Sequence, residues 1–420
     1  MEQTSDSARI AQDVRRRKVF YIPGFDPFPA RRYREIYRRE GAEQARLSGY
    51  ALELGPGGRA GRYGWHVRST QDGQATEVQV EVLVWSDIVQ ASMAFSIVGT
   101  YLGLLRTAWL YIGSGTLWRL MRMRKGPVIA ALYPVGMLIL QLALALLAGA
   151  GIAALVLAGL SALQLHPSDL AGPPLRWGIM LVVAVLVLRW CRRLDRHFYA
   201  HYLMQDYAYS ASLRGRTPPE LAARLTQFGE RLAAALADDH DEVLVVGHSS
   251  GAHIAVEILA DYLRSAAPRT LPPSLSLLTL GQVIPMISFL PEAGKLRADL
   301  AFLSTRADIT WIDVTAPGDG CAFALCDPVA VSGVAPPGQR WPVILSAAFT
   351  QTLSPEMWQK LRWRFFRLHF QYLHAFDRPR DYDYFRITAG PLSLGRRFAG
   401  RESSKSRIGE PLSRYTSMAA

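Results

Sequence analysis

The chain has 420 residues, enough for one large domain or two ordinary ones, and half of them are hydrophobic, so a sizeable core can be buried. Its formal net charge of +12 fits nucleic acid, an anionic lipid surface or only a solvated exterior. No zinc-knuckle, helix-turn-helix or RNA-binding signature accompanies that charge, and the arginines cluster beside apolar segments, so a bilayer is the expected partner and nucleic acid is not.

Three cysteines, Cys191, Cys321 and Cys326, make no disulfide framework and fit a reducing compartment. Nothing near Cys321 and Cys326 completes a metal-ligand set, so these two are expected to be ordinary buried thiols. Residues 1–17 are polar and charged with no apolar h-region, which predicts a disordered lead-in and no secretory signal.

The first soluble part covers 18–125. Lys18-Val-Phe-Tyr-Ile22 predicts a buried strand, closed by Pro23-Gly24. An amphipathic helix is expected over 30–47, with Tyr33, Ile36 and Tyr37 on its apolar side. Short strands at 50–54 and 63–68 flank a Gly-rich turn. A stronger strand at 77–85 alternates and then becomes fully apolar.

Residues 126–167 contain no Asp, Glu, Lys or Arg. About 20 apolar residues already cross a bilayer, and each central Leu or Ile favours insertion by roughly 0.5 kcal/mol. Gly149-Ala150-Gly151 is a possible break in this block. A second run, about 175–190, spans if Arg176 and Arg189 reach the two interfaces. If the strands before and after this insertion (126–195) share one sheet, the number of crossings is even, and two are expected. Basic clusters lie outside both segments (Arg119, Arg122, Arg124, Lys125; Arg189, Arg192, Arg193, Arg196), whereas the connecting loop carries only Asp169. The positive-inside rule then puts the soluble parts in the cytoplasm and the anchor in the inner membrane. The apolar run 91–113 has Arg106 at its middle and is expected to be an interfacial or packed helix.

The second soluble part is 196–390. Thr217-Pro-Pro-Glu220 reads as a capping-box start, and Leu221, Leu225, Phe228, Leu232 and Leu236 form the stripe of the helix that follows. Strands are expected at 243–246, 275–280 and 309–314. Strands alternating with helices predict an α/β fold, a mostly parallel central sheet flanked by helices. A basic, flexible tail is expected over 391–420.

Val243-Leu-Val-Val246 runs straight into Gly247-His248-Ser249-Ser250-Gly251, and a helical sequence follows at once. A serine on so cramped a strand-to-helix turn projects its hydroxyl above the sheet, and glycines two residues before and after remove clashing side chains. The following helix, entered through small Ala252 and Ala255, aims its positive end at a developing oxyanion. The plainer alternative is a strand-turn-helix with a glycine-rich corner.

This motif and its order resemble the α/β-hydrolase superfamily on its lipase and esterase side. The resemblance covers the N-terminal strands and the chain after about Arg214; it does not cover the hydrophobic hairpin, which would be an insertion. It implies Ser249 as nucleophile. It also implies an oxyanion loop at Tyr21-Ile-Pro-Gly-Phe-Asp26, where Pro23 replaces the family's usual His, with the backbone N–H groups of Phe25 and Ser250 as the oxyanion hole.

Family order places an acid and then a histidine after the serine. Asp319, in the exit loop of the 309–314 strand, sits where the family's acid falls; Asp313 and Asp327 stay open. Beyond it stand only His369 and His374. His369 begins a His-x-x-Tyr pattern similar to the catalytic histidine of many lipases and is favoured. His248 and His253 are expected as pocket walls.

The expected reaction is hydrolysis of an ester through an acyl-enzyme, with no cofactor and no metal, on a hydrophobic acyl substrate arriving from the bilayer. The runner-up is a catalytically silent fold of the same class serving as a membrane interaction module. Oligomeric state is not legible.

Overall fold

The computed structural model describes residues 13–57, 62–93, 96–164, 172–266 and 273–419. They divide into two compact units: one of 1–91, 111–127 and 210–420, the other of 92–110 and 128–209.

The first unit is built on eight strands: β1 Arg16–Ile22, β2 Ala51–Gly57, β3 Tyr63–Gln71, β4 Gln74–Val82, β5 Glu242–His248, β6 Ser274–Leu280, β7 Ile309–Thr315 and β8 Val343–Ser346. Their order across the sheet is β2-β3-β4-β1-β5-β6-β7-β8. The two ladders among β2, β3 and β4 are antiparallel; all others are parallel. The strands before and after the apolar insertion therefore belong to one sheet, with Arg17 paired to Glu242 and Ile22 to Gly247. Parallel strands covered on both faces need apolar side chains on both, and Val243, Leu244, Val245 and Val246 are all buried.

Helix α1 (Arg31–Ser48) places Tyr33 and Tyr37 in the cluster that includes Val19, Tyr21, Leu244 and Val246. Later helices are α7 (Pro219–Ala237), α8 (Gly251–Ser265) and α9 (Gly294–Thr305); α8 packs on β5 and against the other two. The start of α7 corrects the expected capping box. Thr217 does not cap it; its hydroxyl donates instead to Glu257 Oε2 at 2.7 Å.

The second unit is helical: most of α2 (Ile97–Gly113), α4 (Lys125–Ala162) and α6 (Ala200–Ala211), and all of α5 (Gly172–Arg193). Helix α3 (Thr116–Met123) stays with the first unit. Two helices, α4 and α5, are long and apolar enough to cross a membrane, or three segments if Ser86–Ser92 and α2 count as one broken span. At 1.5 Å per residue, the 38 residues of α4 extend roughly 57 Å, beyond the thickness of a hydrocarbon core.

Gly149 is not the expected break. The helix runs through it, and a Cβ there would lie 2.6 Å from Met180 O, so the missing side chain lets α5 approach closely. The helical unit is also wider than 126–195, because Leu104 of α2 packs with Leu138, Ala200 and Met204. The loop with Asp169 lies outside the described residues.

Both expected disordered ends need correction. Residues 1–12 lie outside the described residues, but Val14 N–H donates to Pro391 O and β1 begins at Arg16. The tail 391–419 lies on the first unit. The buried Arg17–Glu242 pair explains part of this: its guanidinium donates to Gly390 O and Leu392 O, and its carboxylate accepts from Leu394 N–H. A buried ion pair needs its remaining donors and acceptors satisfied, and the tail backbone supplies them. Farther on, Arg297 donates to Ser417 O and Arg119 to Leu412 O.

Candidate active site

Strand order reverses between β1 and β5: the chain builds outward from β1 on one side, then resumes with β5 on the other. Such a switch point leaves a crevice at the carboxyl ends of the two strands. Their exits are Pro23-Gly24 and His248-Ser249.

Ser249 occupies the corner between β5 and α8 with φ 56°, a left-handed conformation costing a non-glycine residue about 1–2 kcal/mol. The corner has no room for larger neighbours. A Cβ on Gly251 would lie 2.2 Å from Ile22 O, and one on Gly247 2.6 Å from Gly251 O. Gly24 faces the serine itself, its absent Cβ falling 2.9 Å from Ser249 Cβ. The sequence motif explains the first two glycines. The third lies in the loop after β1, and its approach to Ser249 is visible only in the folded chain.

The loop after β1 is pinned independently of Ser249. Trp85 Nε1–H donates to Pro23 O at 2.9 Å, and the Phe25 and Trp85 rings meet edge to face. Buried Asp26 accepts from Phe28 N–H and from Tyr33 Oη–H, the latter at 2.5 Å. Phe25 and Ser250, the expected oxyanion donors, are both buried on the two chains that meet at Gly24 and Ser249.

Of the three acids, Asp319 is the one that meets a histidine. His369 Nδ1–H donates to Asp319 Oδ2 at 2.8 Å; Tyr372 Oη–H donates to the same oxygen at 3.0 Å, and Cys321 N–H to Oδ1 at 2.9 Å. Burial alone would raise the Asp319 pKa, but the charge and hydrogen bond of His369, with the other donors, hold it below the usual carboxylate value. The bond at Nδ1 leaves His369 Nε2 as the proton acceptor.

His369 and Ser249 are placed from the two sides of the β6 exit. Ser249 N–H donates to Leu280 O at 2.9 Å, and a Cβ on the next residue, Gly281, would lie 3.2 Å from His369 Cε1. Gly281 has φ 52°, and a side chain there would also strike Tyr372.

The other candidates are engaged elsewhere. Asp313 is buried, accepts from Thr279 Oγ1–H and is pushed up to about 8 by burial. Asp327 caps the short helix Pro328–Val331. His374 Nδ1–H donates to Phe370 O. His248 is buried beside His369: its Nε2–H donates to His369 O at 3.0 Å, and burial lowers its pKa to about 3, keeping it neutral. His253 is buried in α8, also neutral, at about 4.

Donor atoms of Asp319, Cys321 and His369 lie within 4.8 Å of one another, a set the sequence did not suggest. Within this set, burial raises the Cys321 thiol well above its ordinary value, and Asp319 Oδ2 already accepts from His369 and Tyr372.

No family model, curated protein or solved structure matches the chain.

Proposed function

We propose that the protein is a membrane-anchored serine hydrolase with an α/β-hydrolase-type fold, cleaving esters of hydrophobic acyl groups. The observation that carries this reading is a strained serine at the sheet's switch point, bonded to Leu280 of the β6 exit, whose next residue, Gly281, faces a histidine with its Nδ1 bound to a buried carboxylate.

In the proposed reaction, Ser249 Oγ attacks the ester carbonyl while His369 Nε2 takes its proton. Asp319 stabilises the resulting imidazolium and fixes the tautomer. The N–H groups of Phe25 and Ser250 receive the oxyanion. The imidazolium protonates the leaving alcohol, and water then releases the acid by the same steps in reverse roles.

The single sheet supports two full crossings, because a third would put β4 and β5 on opposite sides of the bilayer. Flanking charges support an inner-membrane location with the sheet in the cytoplasm. Substrate that partitions into the bilayer suits this placement.

Detergent-solubilised protein should hydrolyse p-nitrophenyl acyl esters, and Ser249→Ala should reduce turnover to background. Undiminished turnover in that variant rejects the nucleophile. Absence of turnover in both, across acyl lengths, favours a silent fold acting as a membrane interaction module.

A further inference from the structure

Two aromatic and basic segments flank the loop that carries Asp319. One is 357–365. Met357, Trp363 and Phe365 are exposed there, Trp363 by 71 %, and Lys360, Arg362 and Arg364 are exposed among them. The Arg362 guanidinium lies 5.5 Å from the Trp363 ring centre. The segment is seated on the acid loop: a Cβ on Gly320 would lie 3.3 Å from the Phe365 ring, and one on Gly318 2.7 Å from the Trp358 ring.

The other segment is α3 with the residues that follow it. It exposes Trp118, Arg122 and Lys125. Arg124 Nε–H donates to Ala324 O at 2.8 Å, and Gly126, in the first turn of α4, faces Gly320, with 3.5 Å from its absent Cβ to Gly320 O.

Indole and phenyl rings facing water gain nothing in a soluble surface, whereas aromatics interleaved with Lys and Arg match the headgroup level of a bilayer. Within 355–365 the sequence holds one acid, Glu356, against Lys360, Arg362 and Arg364. The patch also continues, through Gly320, to the entry turn of the longest membrane-compatible helix. We infer that 357–365 docks on an anionic bilayer surface and holds the rim beside Asp319 and His369 against the headgroups. This deepens the hydrophobic-substrate reading, and rests on it for what arrives at that rim; the docking itself needs no turnover.

The test uses full-length protein in nanodiscs of phosphatidylcholine, or of equimolar phosphatidylcholine and phosphatidylglycerol, with brominated acyl chains. Comparison with Trp363→Phe isolates the emission of one indole among ten. In anionic discs, bromine should quench that component. Each cation beside an anionic leaflet favours docking about fivefold, so Lys360→Glu with Arg362→Glu should lower the docking equilibrium constant more than tenfold, and high salt should lower it too. All three substitutions are at exposed positions, and an unchanged thermal midpoint verifies folding. An unquenched Trp363 in anionic discs overturns the inference, as does quenching equal in neutral discs and indifferent to charge reversal. Fluorophosphonate labelling of Ser249 on the same samples is independent of both results.

Discussion

His248 and His369 lie with ring centres 4.9 Å apart and share one hydrogen bond, from His248 Nε2–H to the backbone carbonyl of His369. The residue before the candidate nucleophile thus positions the backbone of the candidate base. Burial keeps His248 neutral down to about pH 3, and in either protonation state its Nε2–H can donate to that carbonyl.

His248→Ala removes that donor and leaves a buried carbonyl unpaired, a cost of about 1–3 kcal/mol. The expected outcome is a lower kcat with KM and the pH profile largely retained. Steady-state kinetics over pH check this, since a purely structural residue would lower the active fraction and leave kcat per labelled site unchanged.

Asp319→Asn preserves shape but favours the wrong tautomer of His369, and kcat should fall on the order of 10³- to 10⁴-fold. The carboxylate is held below its ordinary pKa when folded. Its stabilising contribution is therefore complete above the unfolded value and is lost as pH falls through the folded one. Thermal midpoints of wild type and Asp319→Asn should converge in strong acid.

Asp313→Asn separates the two buried acids. Its folded pKa is raised from 3.8 to about 8, so wild type loses stability as pH climbs between those values. The Asn variant should lack that loss, giving a thermal-midpoint difference that grows with pH and levels off near 8. Esterase activity should stay within a few-fold of wild type; a collapse comparable to Asp319→Asn would reassign the acid.

Gly24→Ala places a methyl against Ser249 Cβ. Overpacking of this kind costs about 1–3 kcal/mol, and displacement of the serine should cut kcat/KM more than tenfold. A calorimetric scan beside an esterase assay checks both.

The strands and the corner were legible because local pattern specifies them: four β-formers running into Gly247-His-Ser-Ser-Gly251 allow few other readings. The Asp319–His369 pairing was reachable through chain order and the His-x-x-Tyr spacing, and Tyr372 proves to be a second donor to that acid. Gly281, the contact of Gly24 with Ser249 and the role of His248 were not legible, since each depends on residues brought together from distant strands. The tail misled because its Ser, Arg and Gly composition says nothing about backbone carbonyls, which are what Arg17 and Arg297 bind. The edge strand β8, four residues long, carries too short a pattern to stand out. Likewise, Gly149 reads as a helix breaker until Met180 is found against it.

Reaction with a fluorophosphonate probe, read by peptide mass spectrometry, tests the claim that the corner lifts an activated hydroxyl toward an imidazole. The expected adduct is on Ser249, absent in Ser249→Ala and at least tenfold slower to form in His369→Ala. No adduct on Ser249, or one that forms equally fast without His369, would contradict it.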